Sequence, residues 1–259
     1  MLESSAPMKL TILGSGTLVP NGERNSAGYF VETADARVML DCGAGTVHAL
    51  ARYGLPWERL THLFVSHFHV DHIGELASLF LAFRHGLQTP RLEPLVVIGP
   101  RGLDRVMEGL RHAFGAKLFD LKFPVELRML VPGETVELGP ESVLSVAKTP
   151  HTEESLAVRI DSSGKAVCYT GDTSFTEELS SFFSEADVLV SECSFRARRD
   201  EAAHLSVEEA ARMASLSKAV RLIVTHFFFH VRTDELVCEI QQSYDGEVLI
   251  GRDGLTLEI

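Results

Sequence analysis

Cysteine is scarce in this chain and never clustered. The four present, Cys42, Cys168, Cys193 and Cys238, form no CxxC pair in 259 residues. That spacing excludes a cysteine-only zinc knuckle and leaves reduced, buried thiols as the expectation. Positive charge is also short. A formal net charge of −12 argues against a broad nucleic-acid footprint, which needs a basic face. No apolar run reaches membrane-spanning length. The start, Met1 to Pro7, lacks the basic and apolar parts of an export signal and is expected to be a disordered lead, with a cytoplasmic location as the default. Linkers, low-complexity tracts and short repeats are lacking as well, so one domain over residues 1–259 is the simplest organisation.

What is present is concentrated in Ser66-His67-Phe68-His69-Val70-Asp71-His72. Four potential metal ligands fall within six residues, directly after the apolar run Leu63-Phe64-Val65. Three imidazoles and a carboxylate packed so tightly repel one another when charged and waste polar burial when neutral. A divalent ion removes both problems. Three further apolar strands end in candidate ligands: Leu144 to His151, Val167 to Asp172, and Leu222 to His226. The combined set is His67, His69, Asp71, His72, His151, Asp172 and His226. Seven ligands exceed one tetrahedral ion but suit two ions sharing a carboxylate, with Asp172 the natural bridge. His226 is preferred over His230 because it abuts its strand. His48, His62, His85 and His112 read as surface or packing residues.

Elsewhere the pattern is strand-rich. Gly28–Glu32 and Arg37–Asp41 read as a strand pair closed by Asp41-Cys42-Gly43-Ala44-Gly45, followed by a helix from Thr46 to Tyr53. A helix is expected directly after His72 and another from Leu103 to Phe114, ended by Gly115. Ser174-Phe-Thr-Glu177 and Ser206-Val-Glu-Glu209 read as capping-box starts of two more. Gly14-Ser15-Gly16 lacks the third glycine of a dinucleotide-binding turn, since Val19 stands in its place. Strands with one helix, then a strand–helix mixture, occur in both halves. The pattern predicts two β-rich halves packed sheet to sheet with helices outside.

These residues resemble the metallo-β-lactamase fold superfamily, whose HxHxDH signature stands here as His67 to His72. His151, Asp172 and His226 match its later metal positions. The opening Leu10-Thr-Ile-Leu-Gly-Ser-Gly-Thr17, continuing through Pro20 to Arg24-Asn25, is similar to the ribonuclease Z-like branch. So is Ser191-Glu-Cys-Ser-Phe195 followed by His204-Leu-Ser206. The resemblance implies an α/β fold, a four-layer αββα sandwich with a dinuclear site at one edge. It implies that His67, His69 and His151 hold one ion, that Asp71, His72 and His226 hold the other, and that Asp172 bridges. Zinc is the expected metal, with manganese or iron as alternatives. Asp71 is expected to orient a hydroxide bridging the ions, and His204, oriented by Glu192, to stabilise or protonate the reacting phosphate.

One departure narrows the substrate. In transfer-RNA-processing members a basic arm lies between the positions of His151 and Asp172; here twenty residues separate them, enough for a hairpin. The cysteine-bound extra zinc of the cyclic-phosphate enzyme of phosphonate breakdown has no counterpart either, as Pro20 to Ser26 contains no cysteine. The expectation is an armless phosphodiesterase for a small or cyclic phosphodiester. It needs neither strong nucleic-acid binding nor a membrane, and a homodimer stays open. The competing readings are a lactone, thioester or β-lactam hydrolase, a transfer-RNA 3′-processing endonuclease, an iron-dependent redox enzyme, and a non-catalytic binding module. Arg196, Arg198 and Arg199 are candidates for steering an anionic substrate, against a solvated loop.

Overall fold

The structure is a computed structural model that describes residues 7–199 and 203–259. Residues 1–6 of the expected lead lie outside the described residues. Two seven-stranded sheets form the centre. The first contains β1 (Lys9–Gly14), β2 (Gly28–Glu32), β3 (Arg37–Leu40), β4 (His62–Phe64), β5 (Leu95–Pro100) and β6 (Val125–Leu130). The second runs from β7 (Thr135–Gly139), β8 (Ser142–Lys148) and β9 (Leu156–Ser162) through β10 (Lys165–Tyr169) and β11 (Val188–Glu192) to β12 (Arg221–Thr225) and β13 (Glu247–Ile250). β14 (Thr256–Glu258) returns to the first sheet and pairs with β1.

Both sheets are built to one plan. β1, β2 and β3 are antiparallel neighbours, whereas β3, β4, β5 and β6 run parallel. β7 to β10 are antiparallel neighbours, and β10 to β13 run parallel. Parallel strands need crossovers, and helices supply most of them. In the first half these helices are α1 (Thr46–Arg52), α2 (Val70–Ile73), α3 (Leu76–Gly86) and α4 (Leu103–Phe114); in the second, α5 (Glu177–Phe182), α6 (Val207–Ser217) and α7 (Thr233–Ile240).

The apolar residues sort into three layers. Leu10, Tyr29, Val38, Phe64, Val146, Val158, Val167 and Val190 fill the space between the sheets. Leu63, Val97, Leu79, Phe80 and Met107 join the first sheet to its helices, and Leu189, Leu222, Ala210 and Met213 do so for the second. Strands such as Val188-Leu-Val190 are buried on both faces, which is why they read as unbroken apolar runs rather than alternating ones. The expected αββα sandwich is therefore the fold.

Local expectations fared unevenly. The capping box on α6 is present, Ser206 accepting from Glu209 N–H while the Glu209 carboxylate accepts from Ser206. α5, by contrast, is capped by Thr176, whose side chain accepts from Leu179 N–H, so Ser174 does not begin it. The helix expected after His72 starts earlier: α2 already contains Asp71 and His72, and α3 resumes at Leu76. Cys42, Cys168 and Cys193 are buried as expected, while Cys238 is exposed. Burial pushes the Cys168 thiol up to about 12, consistent with an inert reduced side chain. Among the described residues, no helix is long and apolar enough to cross a membrane.

His62 is one of the packing histidines. It opens β4, is only 8% exposed, and sits with Nδ1 2.8 Å from Thr61 Oγ1. Burial, aided by the Arg91 charge, presses its pKa down to about 4 from 6.5. The folded protein therefore keeps it neutral at pH values where the unfolded chain protonates it. That contribution is intact above about pH 6.5 and is lost as pH falls towards about 4, by roughly 3 kcal/mol in total. His62→Gln should flatten the acid limb of unfolding free energy against pH over that interval. An acid limb of unchanged slope in denaturant titrations would disprove the assignment.

Candidate metal centre

The parallel strands carry the site. β3, β4 and β5 end at one edge of the first sheet, and β10, β11 and β12 end at the facing edge of the second. Asp41 follows β3, His67 follows β4, Asp172 follows β10, Glu192 ends β11, and His226 follows β12. Open sheets with parallel strands place ligands beyond the carboxyl ends of those strands. His151 follows β8 and enters from the side. The sheets are stitched together here by Leu156 N–H donating to Ser66 O at 2.9 Å, and by His226 N–H donating to Ser15 O at 2.9 Å.

All seven sequence-predicted ligands converge. Asp172 is 3% exposed and stands between two groups of imidazoles. Its Oδ2 lies 3.7 Å from both His67 Nε2 and His151 Nε2. Its Oδ1 lies 3.3 Å from His72 Nε2 and 3.5 Å from His226 Nε2. His69 Nδ1 completes the first group, 3.1 Å from His151 Nε2. Asp71 Oδ2 completes the second, 3.3 Å from His226 Nε2 and 3.9 Å from His72 Nε2. His230, the competitor of His226, is exposed, whereas His226 is 2% exposed.

The hydrogen-bond network fixes what these atoms offer. Ser66 Oγ donates to Asp41 Oδ2 at 2.8 Å, so His67 Nδ1, 3.0 Å from that oxygen, must donate to it. His72 Nδ1 donates to Asp41 Oδ2 at 2.7 Å, and His151 Nδ1 donates to Ala203 O at 2.9 Å. With Nδ1 protonated in each, a neutral ring points the Nε2 lone pair at an Asp172 oxygen. Lone pairs facing lone pairs across 3.3–3.7 Å repel unless a cation lies between them. His67 Nε2, His72 Nε2 and Asp172 Oδ1 are buried without a hydrogen-bond partner, and unpaired buried groups of this kind need an explanation. Divalent metal supplies one. The donor set divides into His67, His69, His151 and Asp172 on one side and Asp71, His72 and His226 on the other.

Electrostatics agree. Burial would depress the His72 imidazole, but Asp172 and Asp41 outweigh it and hold its pKa well above the ordinary value. Burial would raise Asp172, yet His226 and His72 hold its carboxyl well below the usual range. Burial, reinforced by the neighbouring His72, drives His67 down. A site that stabilises one proton so strongly beside ionised carboxylates is a site of negative potential, suited to a cation.

Asp41 is the residue that sequence reading missed, taking it for part of a loop closure. It is fully buried and adopts a left-handed backbone with φ 58°. Besides His72 and the Ser66 hydroxyl, it accepts from Ser66 N–H at 2.7 Å and from Tyr169 OH at 2.8 Å, which reaches across from the second sheet. The available signal was its place at a strand end, the same rule that found the ligands. Gly43 beside it is obligatory, because a Cβ there would lie 2.0 Å from Asp71 O.

Glu192 and His204 are also brought to the centre. Glu192 is 1% exposed, not a surface residue. It accepts from Thr173 N–H at 2.6 Å and lies 3.1 Å from His204 Nδ1. Burial would lower His204, and the hydrogen bond it donates to Glu192 reverses the balance and raises it. Its Nδ1 is 3.9 Å from Asp172 Oδ2. The three arginines are largely engaged nearby: Arg196 pairs with Glu235 and Glu239, Arg198 lies 3.8 Å from Glu209, and Arg199 covers the Phe195 ring.

The family profile described as anti-Pycsar protein Apyc1 matches residues 8–236. The chain belongs to that family. It is 29% identical over 255 residues to the probable metallo-hydrolase YhfI of Bacillus subtilis, covering 97% of this chain and all of YhfI. The crystal structure of YhfI superposes with a TM-score of 0.84 over 98% of this chain and 100% of that one. Ribonuclease Z of Bradyrhizobium diazoefficiens is 28% identical over 283 residues, covering 89% of this chain and 93% of the relative. The short form of human tRNase Z, 23% identical with a TM-score of 0.77 over 97% of this chain and 98% of that one, shares the fold. The chain is thus a metallo-β-lactamase-fold protein of the ribonuclease Z-like branch, with only a hairpin where the arm would stand.

Asp41→Asn keeps a residue tolerant of the left-handed backbone and removes the charge behind His72. It should weaken divalent-metal affinity about 10–100-fold, the usual effect of removing a partner behind a ligand. Calorimetric metal titration of folded variant and wild type checks this; equal affinities would rule the role out.

Proposed function

We propose that the chain is a dinuclear metal-dependent hydrolase that cleaves a small or cyclic phosphodiester. His67, His69 and His151 would hold one ion and Asp71, His72 and His226 the other, with Asp172 lying between the two sets. Zinc suits this nitrogen and oxygen donor set. When bound, divalent ions supply Lewis acidity and lower the pKa of water towards about 7.

The observation that carries the phosphodiesterase reading is the pairing of buried Glu192 with half-buried His204 beside Asp172. A carboxylate that raises an imidazole favours its protonated form, the state a general acid needs. His204 therefore protonates the departing alkoxide oxygen, and Glu192, touching no substrate, orients the ring. Asp71, held below the ordinary carboxyl range against its burial by His226 and His72, stays ionised and orients the attacking water. Ester, thioester or β-lactam opening has no obvious need of such a pair.

Two features support a small substrate. The stretch between His151 and Asp172 is filled by the β9–β10 hairpin, turned at Ser163-Gly164. The net charge of −12 offers no broad basic surface. The names carried by the relatives agree with metal-dependent hydrolysis in the case of metallo-hydrolase YhfI and with cleavage of a phosphodiester in the case of ribonuclease Z. We take the partner to be the small-molecule substrate and the compartment to be the cytoplasm.

The test is a panel of phosphodiester, cyclic phosphate, short RNA, lactone, thioester and β-lactam with metal-replete protein. Cyclic or small phosphodiesters should turn over fastest. His204→Ala should lower kcat for bis(p-nitrophenyl) phosphate about 100- to 10,000-fold with both metals retained. Preferential lactone or β-lactam opening, or a His204→Ala enzyme of full activity, would overturn the reading.

A further inference from the structure

Ser194 sits at the junction of the two halves of this site and has not been assigned a role. It is fully buried, two residues beyond Glu192, in the loop that follows β11. Its Oγ lies 2.6 Å from Glu192 Oε2, 3.1 Å from His226 Nδ1 and 3.3 Å from His204 Nδ1. Three polar atoms from three segments therefore meet at one hydroxyl.

A hydroxyl has one proton to give. Glu192 accepts from Thr173 N–H, from Leu205 N–H at 3.2 Å and from His204, a pattern suited to an ionised carboxylate with no proton of its own. At 2.6 Å the Ser194 proton must therefore lie on the bond to Glu192. His226 Nδ1 then has no proton to accept and must donate its own to Ser194 Oγ. That choice leaves the His226 Nε2 lone pair directed at Asp71 Oδ2 and Asp172 Oδ1.

We infer that Ser194 is a positioning residue: it sets the His226 tautomer and ties this ligand to the Glu192–His204 pair. The inference rests on the metal-site reading above and deepens it. His226 needs such a device more than its neighbours do, because its own backbone is in the left-handed region at φ 60°, where a non-glycine residue is strained. A ring on strained backbone that lost its Nδ1 acceptor could turn or exchange tautomer, and a proton on Nε2 would abolish its donor function. The chain His226 to Ser194 to Glu192 to His204 also makes the geometry on the metal side and that of His204 depend on one atom.

Ser194→Ala removes the hydroxyl and leaves only a small void. With zinc as the probe, wild type should bind two ions per chain. The alanine variant should hold one ion normally and the second about 10–100-fold more weakly. Ser194→Thr should restore it. In the zinc-loaded wild type, 15N NMR of the imidazoles should give His226 protonated at Nδ1 and metal-bound at Nε2, a readout that needs no variant and no turnover. Two tightly held ions in Ser194→Ala, or an Nε2-protonated His226 in the wild type, would overturn the role of Ser194 alone. A folded wild type that takes up no zinc, manganese or iron would overturn the metal reading and this inference with it.

Discussion

A buried carboxylate that faces four imidazole nitrogens is the constraint around which this protein is built. Asp172 divides its oxygens, one towards His67 and His151, the other towards His72 and His226. Each imidazole has its other nitrogen committed elsewhere: to Ser66, Asp41, Ala203 or Ser194. Such a cluster is costly to bury by its own forces, since a carboxylate and several lone pairs are withdrawn from solvent together. A bound divalent cation would turn the same repulsion into coordination. The outer hydrogen bonds are then part of the metal site, because they decide which nitrogen carries the lone pair.

The fold delivers these groups through one device used twice. In each sheet, antiparallel strands give way to parallel ones, and the parallel strands release their chains at the same edge. The two sheets meet there through polar side chains set into an otherwise apolar interface. Tyr29 OH lies 2.9 Å from Thr225 Oγ1, and Tyr169 OH donates to Asp41 across the gap. The Tyr29 and Tyr169 rings are 4.7 Å apart. Groups from the first sheet are thus held in register with Asp172 and His226 from the second, and a shift of one sheet against the other would break the Tyr169–Asp41 contact along with the core packing. Burial keeps both phenols uncharged by raising their pKa values, so Tyr169 donates to Asp41 as a neutral hydroxyl while Tyr29 shares a hydrogen bond with the Thr225 hydroxyl.

Much of this was legible in the sequence, and the division has a physical cause. The residues proposed as ligands betray themselves locally: His67, His69, Asp71 and His72 are unusually dense in donors, and His151, Asp172 and His226 each end an apolar run. The sandwich was legible from runs such as Val188-Leu-Val190 and Leu222-Ile-Val224. Residues that act through a ligand leave no such trace. Asp41 looks like a turn residue in Asp-Cys-Gly, and Ser194 like any small residue after a strand. Each acquires its role from a partner 31 and 32 residues away. The same limit explains Ser174, since Thr176 could cap the next helix as well, and local spacing does not rank two hydroxyls two residues apart.

His204 shows how the outer hydrogen bonds separate ligands from other groups at equal range. Together with Asp172 and His226 it could make a third donor set by distance. Its Nδ1, though, lies between the two Glu192 oxygens, at 3.1 and 3.2 Å, and donates there. A nitrogen that carries a proton has no lone pair for a metal, so the third set does not form. That leaves Nε2 as the one ring nitrogen of His204 open to a substrate. The ring is 18% exposed, whereas the ligands His67 and His72 are fully buried. Glu192 thus does for His204 the opposite of what Asp41 does for His72. Asp41 fixes a proton on the far side of the ring so that the near side can bind metal, while Glu192 fixes a proton on the near side and so keeps His204 out of the coordination set.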